Sequence, residues 1–251
     1  MRRAVLFAAA LGALAAIPAT ASGATFKYGV AAGDVSSSSA LLWTRASTAG
    51  SYQVEVATDR LFHHVVAARR TAARASHDFT MTLRMARLRA GTRYSYRFWQ
   101  CETGTAGSSL ACKRVGRPSA AGSFVTAPSR SANATIRFAF TADADAQPQP
   151  PSRTPFWNRF QVYRRMQLEA NAFNVNLGDT MYSDSEVVGA QGLDALTVRQ
   201  KWGKYRMNLA QRNLAALRGA AGIYSQWDAH EFLDNFSRFQ NSFPTGFSSN
   251  G

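Results

Sequence analysis

Acidic residues that suit metal binding occur in three short groups in the second half of the sequence. The groups are Asp143-Ala144-Asp145, Gly178-Asp179 followed by Tyr182 and Asp184, and Asp228-Ala229-His230-Glu231. Hard oxygen ligands with one imidazole suit Fe, Mn, Zn, Ca or Mg, depending on the geometry. Such ions lower the pKa of a bound water and neutralise the charge that develops in phosphoryl transfer. The residue types therefore indicate metal-assisted hydrolysis.

Each group, taken singly, has a more ordinary interpretation. An isolated Asp-x-Asp is usually a turn or a helix cap, Gly-Asp after a strand is often turn chemistry, and Asp-x-His is often a surface pair. What favours the metal hypothesis is their common position, because each group directly follows a predicted strand. Several carboxylates in one cleft repel each other, and a bound cation removes that penalty.

The elements around these groups alternate between strand and helix. We predict strands at 135–140, 173–177 and 223–227, a helix capped by Thr154-Pro155, and a second helix through 198–216 that ends at Gly219–Gly222. This β-α-β-α-β order is typical of a parallel sheet with crossover helices. Ligands bind at the carboxyl ends of the strands in such sheets, so the three acidic groups should meet there.

The first half of the chain has a different pattern, in which short strands alternate with turns. Residues 24–127 contain period-two segments such as Tyr52–Val56 and Tyr94–Phe98, which predict an antiparallel β-sandwich. The stretch 88–97 resembles a segment of fibronectin type III-like domains in which a tyrosine closes a corner of the sandwich. His63, His64 and His77 lie here, and we expect structural or surface roles for them. The polar segment 128–134 marks a domain boundary.

Cys101 and Cys112 are the two cysteines of the chain. In an oxidising compartment they would form one disulfide, which closes a loop rich in glycine and serine. A structural bridge is a better interpretation than a metal site with two isolated cysteine ligands.

The formal net charge is +14, and arginine supplies nearly all of the positive charge. Such a charge could attract polyanions, for example nucleic acid or an anionic cell-wall polymer. However, the arginines are scattered along the chain without a concentrated basic helix or a nucleic-acid-binding motif. The pattern favours a solvated basic surface and argues against specific nucleic-acid binding.

The first 21 residues read as a secretory signal peptide, which predicts a secreted or extracytoplasmic protein. Arg2 and Arg3 precede an apolar run from Ala4 to Ile17, and small residues typical of a cleavage site follow. An uncleaved N-terminal anchor is the alternative, and the arginine pair leaves open whether export uses the Sec or the twin-arginine route. No later stretch is apolar enough to predict a transmembrane segment.

Several motifs resemble the alkaline phosphatase D (PhoD-like) family of the metallophosphoesterase superfamily. They are Gly29-Val30-Ala31-Ala32-Gly33-Asp34, Leu41-Leu42-Trp43-Thr44-Arg45, Asn176-Leu177-Gly178-Asp179-Thr180-Met181-Tyr182 and Trp227-Asp228-Ala229-His230-Glu231. Their combination and order span nearly the whole chain after the signal segment. The resemblance implies a β-sandwich over 24–127, followed over 134–251 by the N-terminal part of an α/β metallophosphoesterase-like domain.

The resemblance also implies roles for individual residues. Asp179 would bridge two metal ions, and Tyr182 would ligate iron as a phenolate. Asp143 stands where many members have a cysteine ligand, and with Asp145 it is closer to the D-x-H of general metallophosphoesterases. The implied ions are Fe and Ca, with Mn or Zn as alternatives.

The remaining implied roles belong to Asp228 and His230, which would line the second metal and the phosphate. His230 would protonate the leaving group or stabilise the phosphoryl oxygens. The implied substrates are phosphate mono- or diesters, including a cell-wall polymer, while the sequence leaves the oligomeric state open.

Two departures from the family pattern support an alternative function. Ala229 stands where the family has an aspartate, and the family's catalytic domain continues with further histidine and aspartate ligands beyond the point that this chain reaches. A sheet of three strands with exposed edges would also be incomplete. We therefore expect a truncated domain, and a non-catalytic secreted binding protein derived from the family is the alternative to an active hydrolase.

Overall fold

The structure, a computed structural model, describes residues 23–102, 112–157, 159–189 and 194–232, and the predicted signal segment lies outside them. The strands are β1 (Val30–Gly33), β2 (Ser39–Arg45), β3 (Gly50–Ala57), β4 (Val65–Ala73), β5 (Thr80–Ala86), β6 (Arg93–Cys101), β7 (Arg114–Val115), β8 (Gly122–Val125), β9 (Phe138–Thr141), β10 (Phe173–Asn176) and β11 (Gly222–Ser225). The helices are α1 (Gln161–Leu168), α2 (Val198–Leu209) and α3 (Arg212–Ala220). Strands thus predominate, and helices are few.

The strands form two sheets, and one of them crosses the predicted domain boundary. A six-stranded sheet has the order β5-β2-β1-β11-β10-β9, and a second sheet has the order β4-β3-β6-β7, with β8 paired to β6. Strands β9, β10 and β11 are parallel, as predicted. The expectation of a three-stranded sheet with two exposed edges is wrong, because β11 pairs in parallel with β1.

Alternating side chains of both sheets form the larger hydrophobic core. Leu42 and Leu83 of the six-stranded sheet pack in one cluster with Val54, Tyr96 and Phe98 of the other sheet. Period-two alternation places these residues inside while their neighbours face outward. The two sheets therefore face each other around one core, which holds β1 and, through β1, the parallel strands.

The helices of the second half begin and end at other residues than predicted. Residues near Thr154 do not start a helix, because Pro155 pairs with Pro148 in an isolated bridge, and α1 begins only after Phe160. The predicted single helix over 198–216 is broken at Ala210–Gln211, where Gln211 has an extended backbone. The break allows α3 to pack against α1 and β1.

Strand β4 was missed because its side chains carry no alternation. Most of its residues are exposed, including Arg69 and Arg70, and it forms the outer strand of its sheet. Its inward residues are the small Ala67 and Ala73, so its period-two signal is weak. His63 and His64 precede it in a turn, where their backbone N–H groups donate to Asp59.

The predicted disulfide between Cys101 and Cys112 is confirmed. It joins Cys101 at the end of β6 to Cys112. No helix in the described ranges has the length and apolar character that a membrane crossing requires.

We predict that Tyr94→Phe lowers the free energy of unfolding by about 1–2 kcal/mol, because a backbone donor then loses its partner. The Tyr94 hydroxyl accepts a hydrogen bond from the Arg89 N–H at 2.8 Å, and the residue is buried. Urea denaturation of both proteins measures the difference. Tyr28→Phe is the matched control, since the Tyr28 ring stacks near Arg45 and its hydroxyl makes no hydrogen bond within the described ranges. Equal losses in the two variants would contradict the prediction.

Candidate functional site at the carboxyl ends of the parallel strands

The loops that follow β9, β10 and β11 lie side by side at one end of the sheet. The Ala144 N–H donates to the Asp179 carbonyl at 2.8 Å, and the Gln226 N–H donates to the Asn176 carbonyl at 3.2 Å. These bonds continue the parallel pairing beyond the strand ends. As the strand-end rule predicted, the three acidic groups are therefore brought together although they are far apart in sequence.

The backbone of two of the predicted ligands is left-handed. Asp143 has φ 56° and Asp179 has φ 51°, a region that non-glycine residues rarely adopt. Between them in space, Gly178 has φ 123°, and a Cβ there would lie 2.5 Å from the Asp228 Cβ. Glycine is thus required at 178, and strain of this kind at neighbouring acidic residues is typical of functional sites.

Four predicted site residues form one connected cluster, which we call the rim cluster: Asp143, Asp179, Tyr182 and His230. The Tyr182 hydroxyl donates to Asp143 Oδ1 at 2.8 Å, and the Tyr182 ring stacks on the His230 ring with centroids 4.2 Å apart. The His230 N–H donates to Asp179 Oδ1 at 3.0 Å. The cluster therefore links residues from all three loops.

Asp184 orients the imidazole of His230. Its Oδ1 lies 2.8 Å from His230 Nδ1, and both side chains are mostly buried. A carboxylate on Nδ1 holds the proton there and fixes the ring orientation, as it does for catalytic and metal-binding histidines. The sequence placed Asp184 beside the group but gave it no role.

Asp145 and Asp228 lie on the same loops but outside the rim cluster. Asp145 is buried, and its two oxygens accept hydrogen bonds from the Gln147 N–H at 2.8 Å and the Ser185 hydroxyl at 2.6 Å. Asp228 is exposed and accepts from the Ala229 N–H. Within the described ranges, no group of three or more His, Cys, Asp or Glu residues has the arrangement to hold a metal ion.

Burial and neighbouring carboxylates act against ionisation in the rim cluster. Desolvation raises the pKa of Asp179, the His230 N–H and ring charge act in the opposite direction, and Glu231 and Asp228 add to the rise. Burial also raises the pKa of Tyr182, and its hydrogen bond to Asp143 acts in the same direction. A bound cation would relieve this accumulation of negative charge.

Glu231 holds two of the three loops together, a role that the sequence did not reveal. This buried carboxylate accepts hydrogen bonds from the Asp179 N–H at 3.1 Å, the Thr180 N–H at 2.5 Å, the Thr180 hydroxyl at 2.6 Å and the Asp228 N–H at 2.9 Å. Hydrogen bonds to an ionised acceptor are stronger than neutral ones. Glu231 thus fixes the backbone of Asp179 and Asp228.

Asn208 of α2 joins the first two loops in a similar way. Its Oδ1 accepts from the Ala146 N–H at 3.0 Å, while its Nδ2 donates to the Ala144 carbonyl and, at 2.8 Å, to the Thr180 carbonyl. The only available signal was an amide on an otherwise amphipathic helix, which is too common to identify a site. Helix α2 is thereby attached to the rim cluster.

Residues 12–128 match the family model described as PhoD-like phosphatase, N-terminal domain. Among solved structures, the structure of PhoD aligns with a TM-score of 0.69 and 23% identity, over 88% of this chain and 42% of that one. This chain therefore spans less than half the length of the PhoD chain. No curated protein matches it.

Fibronectin type III domains align with half of the chain or less. The FN5 domain of Drosophila Lar has a TM-score of 0.29 and 15% identity, over 42% of this chain and 96% of that one. The third fibronectin III domain of human KIAA0343 has a TM-score of 0.30 and 11% identity, over 50% of this chain and 100% of that one. Scores this low carry no argument, so the fold assignment depends on the PhoD alignment.

We predict that Glu231→Gln lowers the free energy of unfolding by about 2–3 kcal/mol, because an amide N–H₂ would face backbone donors that now share a carboxylate. Chemical denaturation followed by circular dichroism measures this loss. Glu102→Gln is the matched control, because the contact of the Glu102 side chain within the described residues is an exposed ion pair with Lys113 at 2.7 Å. A loss below that of the control would show that Glu231 does not hold the loops.

Proposed function

We propose that this chain is an exported, metal-dependent phosphoesterase, because residues 12–128 match the N-terminal domain model of the PhoD-like phosphatases. It would hydrolyse phosphate mono- or diesters, including those of an anionic cell-wall polymer. The observation that carries the proposal is the rim cluster, in which two strained aspartates, a phenol and an oriented imidazole meet at the carboxyl ends of parallel strands. This is the position where open sheets of this kind bind ligands.

The rim cluster has the type of ligand that a hard or borderline metal ion prefers, but too few ligands to complete its coordination. Asp143, Asp179 and Tyr182 offer two carboxylates and a phenol, which suit Fe, Ca, Mn or Zn. Because the described residues contain no complete group of ligands, we propose that these three hold one side of a metal centre. Asp145 and Asp228, which lie on the first and third of the three loops, would line the edge of this metal centre.

The bound ions would supply an activated water and neutralise charge on the phosphoryl oxygens. The protein's own part is orientation and proton handling. His230 has its backbone held by Asp179 and its ring held by Asp184, so it is positioned to donate a proton to a leaving group or a hydrogen bond to a phosphoryl oxygen. Glu231 would keep Asp179 in place while this happens.

Export is part of the proposal, and two observations support it. The first is the predicted signal peptide at residues 1–21, and the second is the disulfide between Cys101 and Cys112. Disulfides persist in secreted and periplasmic proteins and are rare in the reducing cytosol. We therefore propose a secreted or extracytoplasmic location.

A second candidate function is non-catalytic binding by a ligand-poor member of the family. It is favoured by Ala229, which replaces a carboxylate with a methyl group, and by the incomplete donor set of the described residues. Metal content separates the two candidates, because a non-catalytic remnant should hold less than one ion per chain.

We predict that the purified chain hydrolyses 4-nitrophenyl phosphate or bis(4-nitrophenyl) phosphate when Fe, Ca, Mn or Zn is supplied. Asp179→Asn and Tyr182→Phe should each lower kcat/KM and bound metal by about 100-fold, as expected for the loss of groups that bind or orient a metal. Glu169→Gln is the control, because Glu169 lies between α1 and the start of β10, at the opposite end of the parallel strands from the rim cluster. No turnover by folded protein with any of these ions would refute catalysis by this chain.

We predict that Ala229→Asp tightens metal binding, because it adds a carboxylate between Asp228 and His230 on the third loop. The expected gain is about 10-fold in the dissociation constant, measured by competition with a chromophoric chelator. Ala132→Asp adds the same charge at an exposed position before β9, outside the candidate site, and serves as the control for net charge. Equal metal affinity in the two variants would favour the non-catalytic candidate.

A further inference from the structure

A cavity of about 750 Å³ lies between the six-stranded sheet and helices α2 and α3. Its walls are largely apolar and aromatic, with Trp43 and Ile223 from the sheet and Trp202 and Leu214 from the helices. Cavities of this size and character are typical of sites for small organic molecules. Thr180 and Trp227 also line it, but the residues of the rim cluster do not.

One wall of the cavity carries a guanidinium without a full set of partners. Arg218 makes no hydrogen bond or ion pair within the described ranges; its Nη1 is fully buried, and the remainder of its guanidinium is the part that a ligand in the cavity can reach. The guanidinium carbon lies 4.4 Å from the centre of the Trp43 ring. A buried cation that lacks a counter-charge is costly unless a ligand completes its hydrogen bonds.

Among the described residues, the neighbourhood of Arg218 supplies no negative charge to compensate it. Burial lowers the pKa of Arg218 to about 10, and the nearby Tyr96 hydroxyl is itself buried and without a partner. Burial raises the pKa of Tyr96, so the phenol stays neutral.

The other charged residues of the wall also leave a positive excess. Arg45 and Arg206 both contact the single carboxylate of Asp78, at 2.9 Å and 2.7 Å. Three arginines thus line the cavity with one aspartate. A ligand complementary to this wall has a negative group and an apolar body.

We propose that this cavity binds a small organic anion with a flat apolar body, whose anionic group accepts a hydrogen bond from Arg218. The indole rings and aliphatic side chains of the wall contact the body of the ligand. This site goes beyond the proposed hydrolysis, since it uses none of the rim cluster and requires no metal. Binding and hydrolysis can therefore succeed or fail separately.

The test uses the full chain, with naphthalene-2-sulfonate as the anion and naphthalene-2-sulfonamide as its neutral match, each titrated by calorimetry without added metal. We expect saturable 1:1 binding of the sulfonate. Arg218→Met should weaken sulfonate binding by about 10-fold or more, because one hydrogen bond to a charged group is lost, and should leave sulfonamide binding unchanged. Equal sulfonate affinity in both proteins, or no saturable binding to the unaltered chain, would overturn the proposal.

A second variant tests the location without touching the arginine. Thr82 lines the cavity from the outer strand β5 and its side chain is exposed, so Thr82→Trp should fill the space while the fold is kept. We expect it to abolish binding of both naphthalene compounds. Unchanged sulfonate binding by this variant would place the ligand elsewhere and overturn the proposal, even if Arg218→Met did not fold.

Discussion

The hydrogen bonds of the buried Glu231 carboxylate constrain the whole end of the sheet. A carboxylate removed from water must find donors within the protein, and Glu231 finds them in the backbone of Asp179, Thr180 and Asp228. These donors belong to the loops after β10 and β11. The bonds therefore hold Asp179 at its left-handed conformation and bring the third loop beside the second. The contact of His230 with both Tyr182 and Asp179 follows from that placement.

The parallel strands that carry these loops are supported by the first half of the chain. Strand β11 pairs with β10 on one side and with β1 on the other, and β1 belongs to the core that joins the two sheets. The N-terminal strands thus supply an edge partner that three parallel strands would otherwise lack. This continuity explains why a domain boundary drawn from the linker at 128–134 does not correspond to a break in the sheet.

The sequence predicted those features that depend on local periodicity. Alternation identified β3 and β6, and the strand-end rule identified the loops that carry Asp143, Asp179 and His230. Prediction from the sequence failed where the deciding contacts join residues that are distant in sequence, or where a strand buries only small side chains. Glu231 contacts residues 51 and 52 positions away, and Asn208 contacts residues up to 64 positions away, so spacing could not reveal either role. Strand β4 has only small inward residues, and the pairing of Pro148 with Pro155 prevented an early start of α1.

The parallel part of the sheet is unevenly covered, and this bears on the choice between the two candidate functions. Helices cover one face, whereas the other carries Phe138 and Phe140, which are 53% and 67% exposed, with Phe173 stacked on Phe138. Parallel sheets are normally covered on both faces. The described residues thus leave the aromatic face uncovered and the group of metal ligands incomplete. The catalytic candidate needs more ligands than these residues supply, whereas the non-catalytic candidate does not.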